Sequence, residues 1–327
     1  VSRPVSEIGE SALLALIAQR FGHAGGFEVG PGDDTAVVRS PGPTLLYTTD
    51  ALVEGVDFRL TYTGGRDLGW KAMAVNASDI ASMGGRPVHA LATLLLAPTT
   101  ESSFVDELLD GLEEAGREWG IDLVGGDISR ATETAVSIAM VGVPAGAPVL
   151  RTGAEAGDAV CVTGALGGAA GGLYLLGRGT PERSVALCTR QARPRARVEE
   201  GVLLAGVGVH SMIDVSDGLL LDLARLLKGQ GLGCDIRPGL VPVDAELDAL
   251  SGDPSAPDRL TLALAGGEDF ELLFTMPQGE VPRARAALAG IGTNVSAIGS
   301  VTEGPLTVGG RPMEEWGEGG WDHLKDR

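Results

Sequence analysis

IDVSDGLLLDL (residues 213–223) sets two aspartates and a serine directly ahead of a strongly apolar helix. Asp214, Ser216 and Asp217 fall within four residues. After Gly218 come Leu219, Leu220, Leu223, Leu226 and Leu227, spaced as one face of a helix. A single Ser or Asp there is an ordinary N-cap, its side-chain oxygen accepting orphaned backbone N–H groups. Capping accounts for Ser216 or Asp217 but leaves Asp214 unexplained.

Strands and helices alternate around this stretch along the whole chain. Leu13–Ala18 reads as part of an amphipathic helix, and the glycine-rich residues 21–34 follow as a loop. TAVVRS and TLLYTTD read as strands, the second ending at Thr48, Thr49 and Asp50. Residues 67–83 read as a helix burying Met73, Ala77, Ile80 and Ala81, with Asn76 and Asp79 sharing its polar face. HALATLLLA is a strand, 102–119 a helix, IDLVGGD a strand ending in a turn, and TAVSIAMVGVP a further strand. Residues 144–158 mix Pro, Gly and polar side chains, which places a domain boundary there and gives domains 1–147 and 148–327. The second half continues with AVCVTG, a glycine-rich turn into a helix, the helix after Ser216, FELLFTM, a helix near 282–290 and VSAIGSV. The pattern is α/β or α+β in two domains.

The net charge of −19 argues against a nucleic-acid partner, which needs clustered Lys and Arg. Lysine occurs only at 71, 228 and 325. Cys161, Cys188 and Cys234 are few and widely spaced, as in a reducing compartment, and no apolar run reaches membrane-spanning length. These features point to the cytoplasm.

Acids recur beside glycine or at the tips of apolar runs: Asp33 and Asp34, Asp50, Asp79, Asp127, Asp214 and Asp217, and Glu268 with Asp269. Any one of them is explained by turn chemistry. As a converging set they would repel unless cations neutralised them, and oxygen donors without a His or Cys pattern favour Mg²⁺. Glycine-rich turns and a helix N-terminus behind Ser216 suit a phosphate-rich ligand. There is no Gly-Lys pair, hence no Walker A loop, and the glycines of TGALGGAAGGL read chiefly as close helix–strand packing. His23, His89, His210 and His323 are scattered and read as structural or surface residues.

GDDTAVV, TTDALVEGVDF, KAMAVNASDIASMGG, LVGGD, LRTGAEAGD, VTGALG, IDVSDGL and LAGGEDFELLF occur in the order found in thiamine-monophosphate kinases. The chain resembles that family from about residue 6 to the terminal GWDHL. Single motifs are shared with the wider aminoimidazole ribonucleotide synthetase-like superfamily. The resemblance implies an N-terminal mixed-sheet dimerisation domain, a C-terminal α/β domain and a homodimer. It implies ATP-dependent conversion of thiamine monophosphate to thiamine diphosphate with several Mg²⁺ ions, by direct in-line transfer without a phosphoenzyme.

By the same resemblance, Asp34, Thr48, Thr49, Asp50, Asp79, Asp127, Asp214 and Asp217 are metal positions, with Asp50, Asp127 and Asp214 the catalytic acids. Gly126, Asp127, Arg151 and Ser216 contact ATP. Asp57, Glu268 and Trp321 face the thiamine substrate, Asp57 standing where some members carry a histidine. The alternatives are another ATP-using enzyme of the superfamily, of the ribonucleotide synthetase type, or a non-catalytic nucleotide-binding regulator.

Overall fold

The computed structural model describes residues 3–8, 10–21, 27–29, 37–38, 40 and 42–316. The chain forms two compact units, Val1–Ile80 with Gly85–Pro144, and Ala81–Gly84 with Ala145–Arg327. No described helix is long and apolar enough to cross a membrane.

The first unit opens with helices α1 (Val5–Ile8) and α2 (Glu10–Phe21) and a two-stranded ribbon, β1 (Phe27–Val29) with β2 (Val37–Val38). Its body comprises β3 (Leu46–Val53), α3 (Gly65–Ser82), β4 (Gly85–Leu96), α4 (Ser102–Trp119), β5 (Asp122–Arg130) and β6 (Ala135–Pro144). The sheet order is β3-β6-β4-β5, with β4 and β5 parallel and the other neighbours antiparallel. A parallel pair needs a crossover, and α4 supplies it. Val105, Leu108, Leu109 and Leu112 recur at helical spacing and are buried, and Gly120 ends α4 at φ 69°.

Leu94, Val136, Ile138 and Met140 make the buried sheet face. Met73, Ala77, Ile80 and Ala81 of α3 are buried as their spacing predicts. Tyr47 and Leu91 lie on the other face and stay 73% and 45% exposed.

Two strands run past the ends that their local turn signals set. β3 continues from Asp50 to Val53, and β5 continues through Gly125-Gly126-Asp127 to Arg130. The cause is tertiary: β6 offers ladder partners Ile138 to Ala135, and β4 offers Thr93 to Leu96. Asp50 and Asp127 therefore sit within strands, not at strand tips.

The second unit contains β7 (Asp158–Thr163), α5 (Gly168–Gly177), α6 (Val185–Ala192), α7 (Val198–Val207), β8 (Ser211–Asp214), α8 (Leu219–Leu227) and β9 (Gly233–Ile236). It continues with α9 (Arg259–Ala265), β10 (Leu272–Pro277), α10 (Val281–Ala289), β11 (Val295–Thr302), β12 (Leu306–Val308) and β13 (Arg311–Pro312). The seven strands order as β13-β12-β9-β11-β7-β10-β8, with only β12 and β9 parallel among neighbours. The leucine face of α8 packs with Val160, Val162, Ile298 and Val301 on one side. On the other, Leu204 of α7 and Val281, Ala284 and Leu288 of α10 cover Cys161 and Phe274. All six residues of β7 are buried between these layers.

The glycines of α5 serve a helix–helix contact instead of a helix–strand one. A Cβ on Gly172 would lie 2.1 Å from the carbonyl oxygen of Leu187 in α6. In the first unit the same device joins α3 to α4: a Cβ on Gly69 would lie 2.1 Å from the Leu108 oxygen, and one on Gly111 2.0 Å from the Arg66 oxygen.

Alanine raises helix propensity over glycine by about 1 kcal/mol, whereas overpacking costs about 1–3 kcal/mol. Because the obstacle at Gly69 and Gly111 is backbone, which cannot rotate away, Gly69→Ala or Gly111→Ala is expected to destabilise the protein. A lowered urea midpoint at unchanged m-value is the expected reading, and a raised midpoint would show that the helix backbones stand apart.

Candidate active site

In the first unit α3 is fixed to β3 by two polar links three residues apart. The Thr48 hydroxyl donates to the Asp79 carboxylate. The Asp50 amide donates to Asn76 Oδ1 at 3.0 Å, while Asn76 Nδ2 donates to the Ala72 oxygen at 3.0 Å. Asn76 is 0% exposed, so the face it shares with Asp79 points at β3 and not at solvent. This fixes the Asp50 backbone and leaves the residue exposed.

Registered residues of neighbouring strands share a sheet face. Asp50 is in register with Ile138, Ala92 and Gly126 on the helix-covered face. Asp127 is in register with Thr93, Ser137 and Ala51, and Thr49 with Ala139 and Leu91, on the opposite face. Ser129 Oγ donates to Asp127 at 2.9 Å. Gly126 packs against β4 so closely that a Cβ would lie 1.9 Å from the Ala92 oxygen. Asp57 accepts the Val53 amide at 2.8 Å and closes the turn after β3.

In the second unit, Asp214 ends β8 and is 3% exposed. The loop after it is stitched to the Gly266–Glu271 loop. The Val215 amide donates to the Glu271 oxygen at 2.8 Å, Glu268 to Ser216 at 2.7 Å and Phe270 to Val215 at 2.9 Å. The stitching holds Glu268 and Phe270 at φ 68° and 50°, in the left-handed region where non-glycine residues are uncommon. The Glu268 carboxylate accepts Gln191 Nε2 at 2.7 Å, and Gln191 is 4% exposed.

Neither Ser216 nor Asp217 caps α8. A third carboxylate inside the helix, Asp222, accepts both their amides at 3.0 Å. Burial pushes the Asp222 carboxyl up, and the Asp217 amide bond draws it back. Arg225 reaches Asp222 at 2.7 Å and also grips Asp217. The amides of Ser216 and Asp217 are thus already engaged by Asp222. What remains for a ligand at Ser216 is its hydroxyl.

Asp269 caps the glycine-rich turn, accepting Gly167 N at 2.6 Å and Ala169 N at 3.0 Å, so a side chain occupies the N-terminus of α5. Next to it, Arg197 clasps Glu271 in a bidentate pair at 2.8 and 2.5 Å, and Thr163 donates to Glu271 at 2.6 Å. Arg151 is exposed, and Leu150 before it accepts the Met212 amide at 3.0 Å, which lays this segment along β8.

Asp34 and Trp321 lie outside the described residues, as do Asp33, His23 and His323. Among the described residues no group of three or more His, Cys, Asp or Glu side chains is placed to hold a metal ion. The residues that sequence reasoning missed are Gln191 and Asp222. Asp222 carried a signal, an acid at the i+3 position from Leu219 on an apolar stripe. Gln191 carried none, because its partner lies 77 residues away.

The AIR synthase related protein N-terminal domain matches residues 32–144, and the corresponding C-terminal domain matches residues 155–310. The chain is 38% identical to the thiamine-monophosphate kinase of Rhodopirellula baltica, over 83% of each chain. It is 35% identical to that of Mycobacterium tuberculosis, over 98% of this chain and 93% of the other. Among solved structures, the thiamine-monophosphate kinase of Stenotrophomonas maltophilia matches with a TM-score of 0.82 at 30% identity, over 95% of this chain and 98% of the other. AaThiL complexed with AMPPCP and TMP matches with a TM-score of 0.77 at 32% identity, over 98% and 99%. The two mixed sheets with their helices and acid-bearing strands are those of the AIR synthase related proteins, and the chain belongs to that family. Within it, the chain belongs to the thiamine-monophosphate kinases.

Burial pushes the Asp269 carboxyl up to about 7, against the pull of its two amide donors, with Glu271 and Asp244 adding to the rise. A carboxyl whose folded pKa lies above its unfolded value of about 3.9 adds stability at low pH and loses it as pH rises through the folded pKa. The unfolding free energy of the wild type minus that of Asp269→Asn is therefore expected to fall from about pH 5 to about pH 8. Urea titrations of both proteins across that range check it, and a difference that grows with pH would contradict the burial.

Proposed function

We propose that this chain transfers the γ-phosphoryl group of ATP to the phosphate of thiamine monophosphate, giving thiamine diphosphate and ADP. The observation that carries this reading is the near-full-length likeness to a structure that holds AMPPCP and TMP together. The chemistry suits the side chains at hand. A phosphate monoester has its second pKa near ~6, so the attacking oxygen is already ionised at neutral pH and needs no general base. The two described histidines are otherwise placed: His210 Nδ1 is 2.9 Å from Asp158, and His89 is buried in β4. What the reaction needs is alignment of two anions and relief of their repulsion.

For that relief we assign Mg²⁺. The donors are carboxylates and hydroxyls, the set preferred by a hard divalent cation. Mg²⁺ is ordinarily held by one or two carboxylates plus phosphate oxygens and water, so it does not require three acids gathered before the ligand arrives, and among the described residues none are. Thr48, Asp50, Asp79 and Asp214 would hold the ions, with Asp34, Thr49 and Asp127 as further ligands. When bound, Mg²⁺ supplies neutralisation of the phosphate oxygens. Asp217 is committed to Arg225 and joins only if that pair opens.

The Ser216 hydroxyl and the Arg151 guanidinium are assigned to ATP phosphates, and the Gly126 backbone to the nucleotide. Glu268, Asp57 and Trp321 are assigned to the cationic thiamine ring system.

The same reading includes a homodimer formed through the open sheet face, because Tyr47 and Leu91 leave apolar surface there. Asp127 and Thr49 would lie at that seam, brought to the reaction by pairing of two chains. The cytoplasm fits the three free cysteines.

Mass spectrometry of a reaction containing ATP, Mg²⁺ and thiamine monophosphate is expected to show thiamine diphosphate with ADP; consumption of ATP without that product would overturn the assignment. Asp50→Asn and Asp214→Asn are expected to lower kcat by about a hundredfold or more, with unchanged circular dichroism. Gln191→Leu is expected to act through Glu268, raising KM for thiamine monophosphate about tenfold while leaving KM for ATP in place. Equal changes in both constants would assign Gln191 to folding alone.

A further inference from the structure

The second unit has a groove of about 340 Å³ whose lining includes Arg237, Arg285 and Gln278 and no carboxylate. In a chain with 44 acidic and 25 basic side chains, that is an unusual place for two guanidiniums. Three other arginines of this unit are paired: Arg190 with Asp244, Arg197 with Glu271 and Arg225 with Asp217 and Asp222. Among the described residues Arg285 donates only its Nε, to the Val295 oxygen at 3.1 Å, which leaves its two terminal nitrogens for another acceptor. The Arg237 side chain makes no hydrogen bond or ion pair among the described residues, while its backbone amide donates to the Ile298 oxygen at 2.8 Å.

The groove is separate from the acid-bearing loops. Leu272, at the start of β10, is in register with Asp214, and Pro277, at its end, with Asp158. Gln278 follows Pro277, so five residue steps at about 3.4 Å each, roughly 17 Å, separate the groove end of β10 from the Asp214 end. Small residues make the floor: Ala159, Ala297 and Gly299 leave the volume that larger side chains would fill. Leu240, 47% exposed, gives the rim an apolar contact.

We propose that this groove is a second ligand site, taking a small organic dianion with a short apolar body, its charge held between Arg237 and Arg285. Planar guanidiniums suit phosphate and carboxylate groups alike, and the size and mixed lining are those of a small-molecule pocket. The occupant is therefore a phosphate monoester or a dicarboxylate of that shape.

Backbone NMR of the full chain, titrated with phenyl phosphate, with succinate and with neutral benzyl alcohol, tests this. Saturable shifts of the Gln278, Ala297, Gly299 and Ser300 amides are expected with at least one dianion and none with the alcohol. The more tightly bound dianion identifies the ligand's charged group. Arg237→Gln combined with Arg285→Gln is expected to weaken that binding by about tenfold or more, with thiamine monophosphate turnover unchanged. The single exposed-site variant Arg237→Gln serves if the double variant does not fold. Shifts confined to residues 214–217 and 268, no saturable shift, or undiminished binding in the variants would overturn the proposal. None of these results bears on the kinase reading, which the product assay tests separately.

Discussion

Like charges brought together inside a fold must be neutralised or hydrogen-bonded, and a chain of net charge −19 meets that demand at three acids that shape its second unit. Asp222 takes two amides, Asp269 takes two more, and Glu271 takes a bidentate arginine and a hydroxyl. These carboxylates organise loops by accepting from donors close in space. Once they have taken the amides and guanidiniums nearby, the turn after β8 and the turn before β10 become rigid relative to one another. Asp214 and Glu268 are presented by those turns. The structural acids thus fix the positions of Asp214 and Glu268, and removing a structural acid is expected to be felt first in the geometry of its neighbour.

The left-handed backbone at Glu268 fits this view. A glutamate at φ 68° stores local strain, and the amide bond to Ser216 with the Gln191 side chain opposes its release. Glycine would adopt the conformation without strain but would bring no carboxylate. On the proposed reading the strain falls where a carboxylate is aimed at the substrate.

Element order was legible in the sequence because the apolar periods are clean. The faces of α3 and α8 and the β4, β6 and β7 runs follow directly from residue spacing. Strand ends were not legible: Gly125-Gly126 signals a turn, yet β4 provides a ladder that carries β5 through it to Arg130. The acid clusters were legible as clusters, while their roles were not. The pairing of Asp269 with the Gly167 and Ala169 amides spans about a hundred residues, and no local pattern encodes it. The face on which Asp127 projects depends on register across four strands, which a bulge between Ala90 and Leu91 shifts by one residue.

That register has a consequence for how one strand can serve a phosphate site. Thr48 and Asp50 look toward α3, whereas Thr49 between them looks away, with Asp127 on its side of the sheet. Alternation is unavoidable in a β-strand, so a run of adjacent polar residues on β3 cannot aim at one point within one sheet. A single copy can use Thr48 and Asp50 with Asp79 on the helix side. Thr49 and Asp127 can act on the same anion only if something brings the open face into the site, and an apolar surface with Tyr47 and Leu91 exposed is suited to pairing with a second copy. On the proposed reading the dimer and the metal chemistry would be one requirement: strand geometry divides the acidic set between two faces, and association of chains would let both faces reach the phosphates.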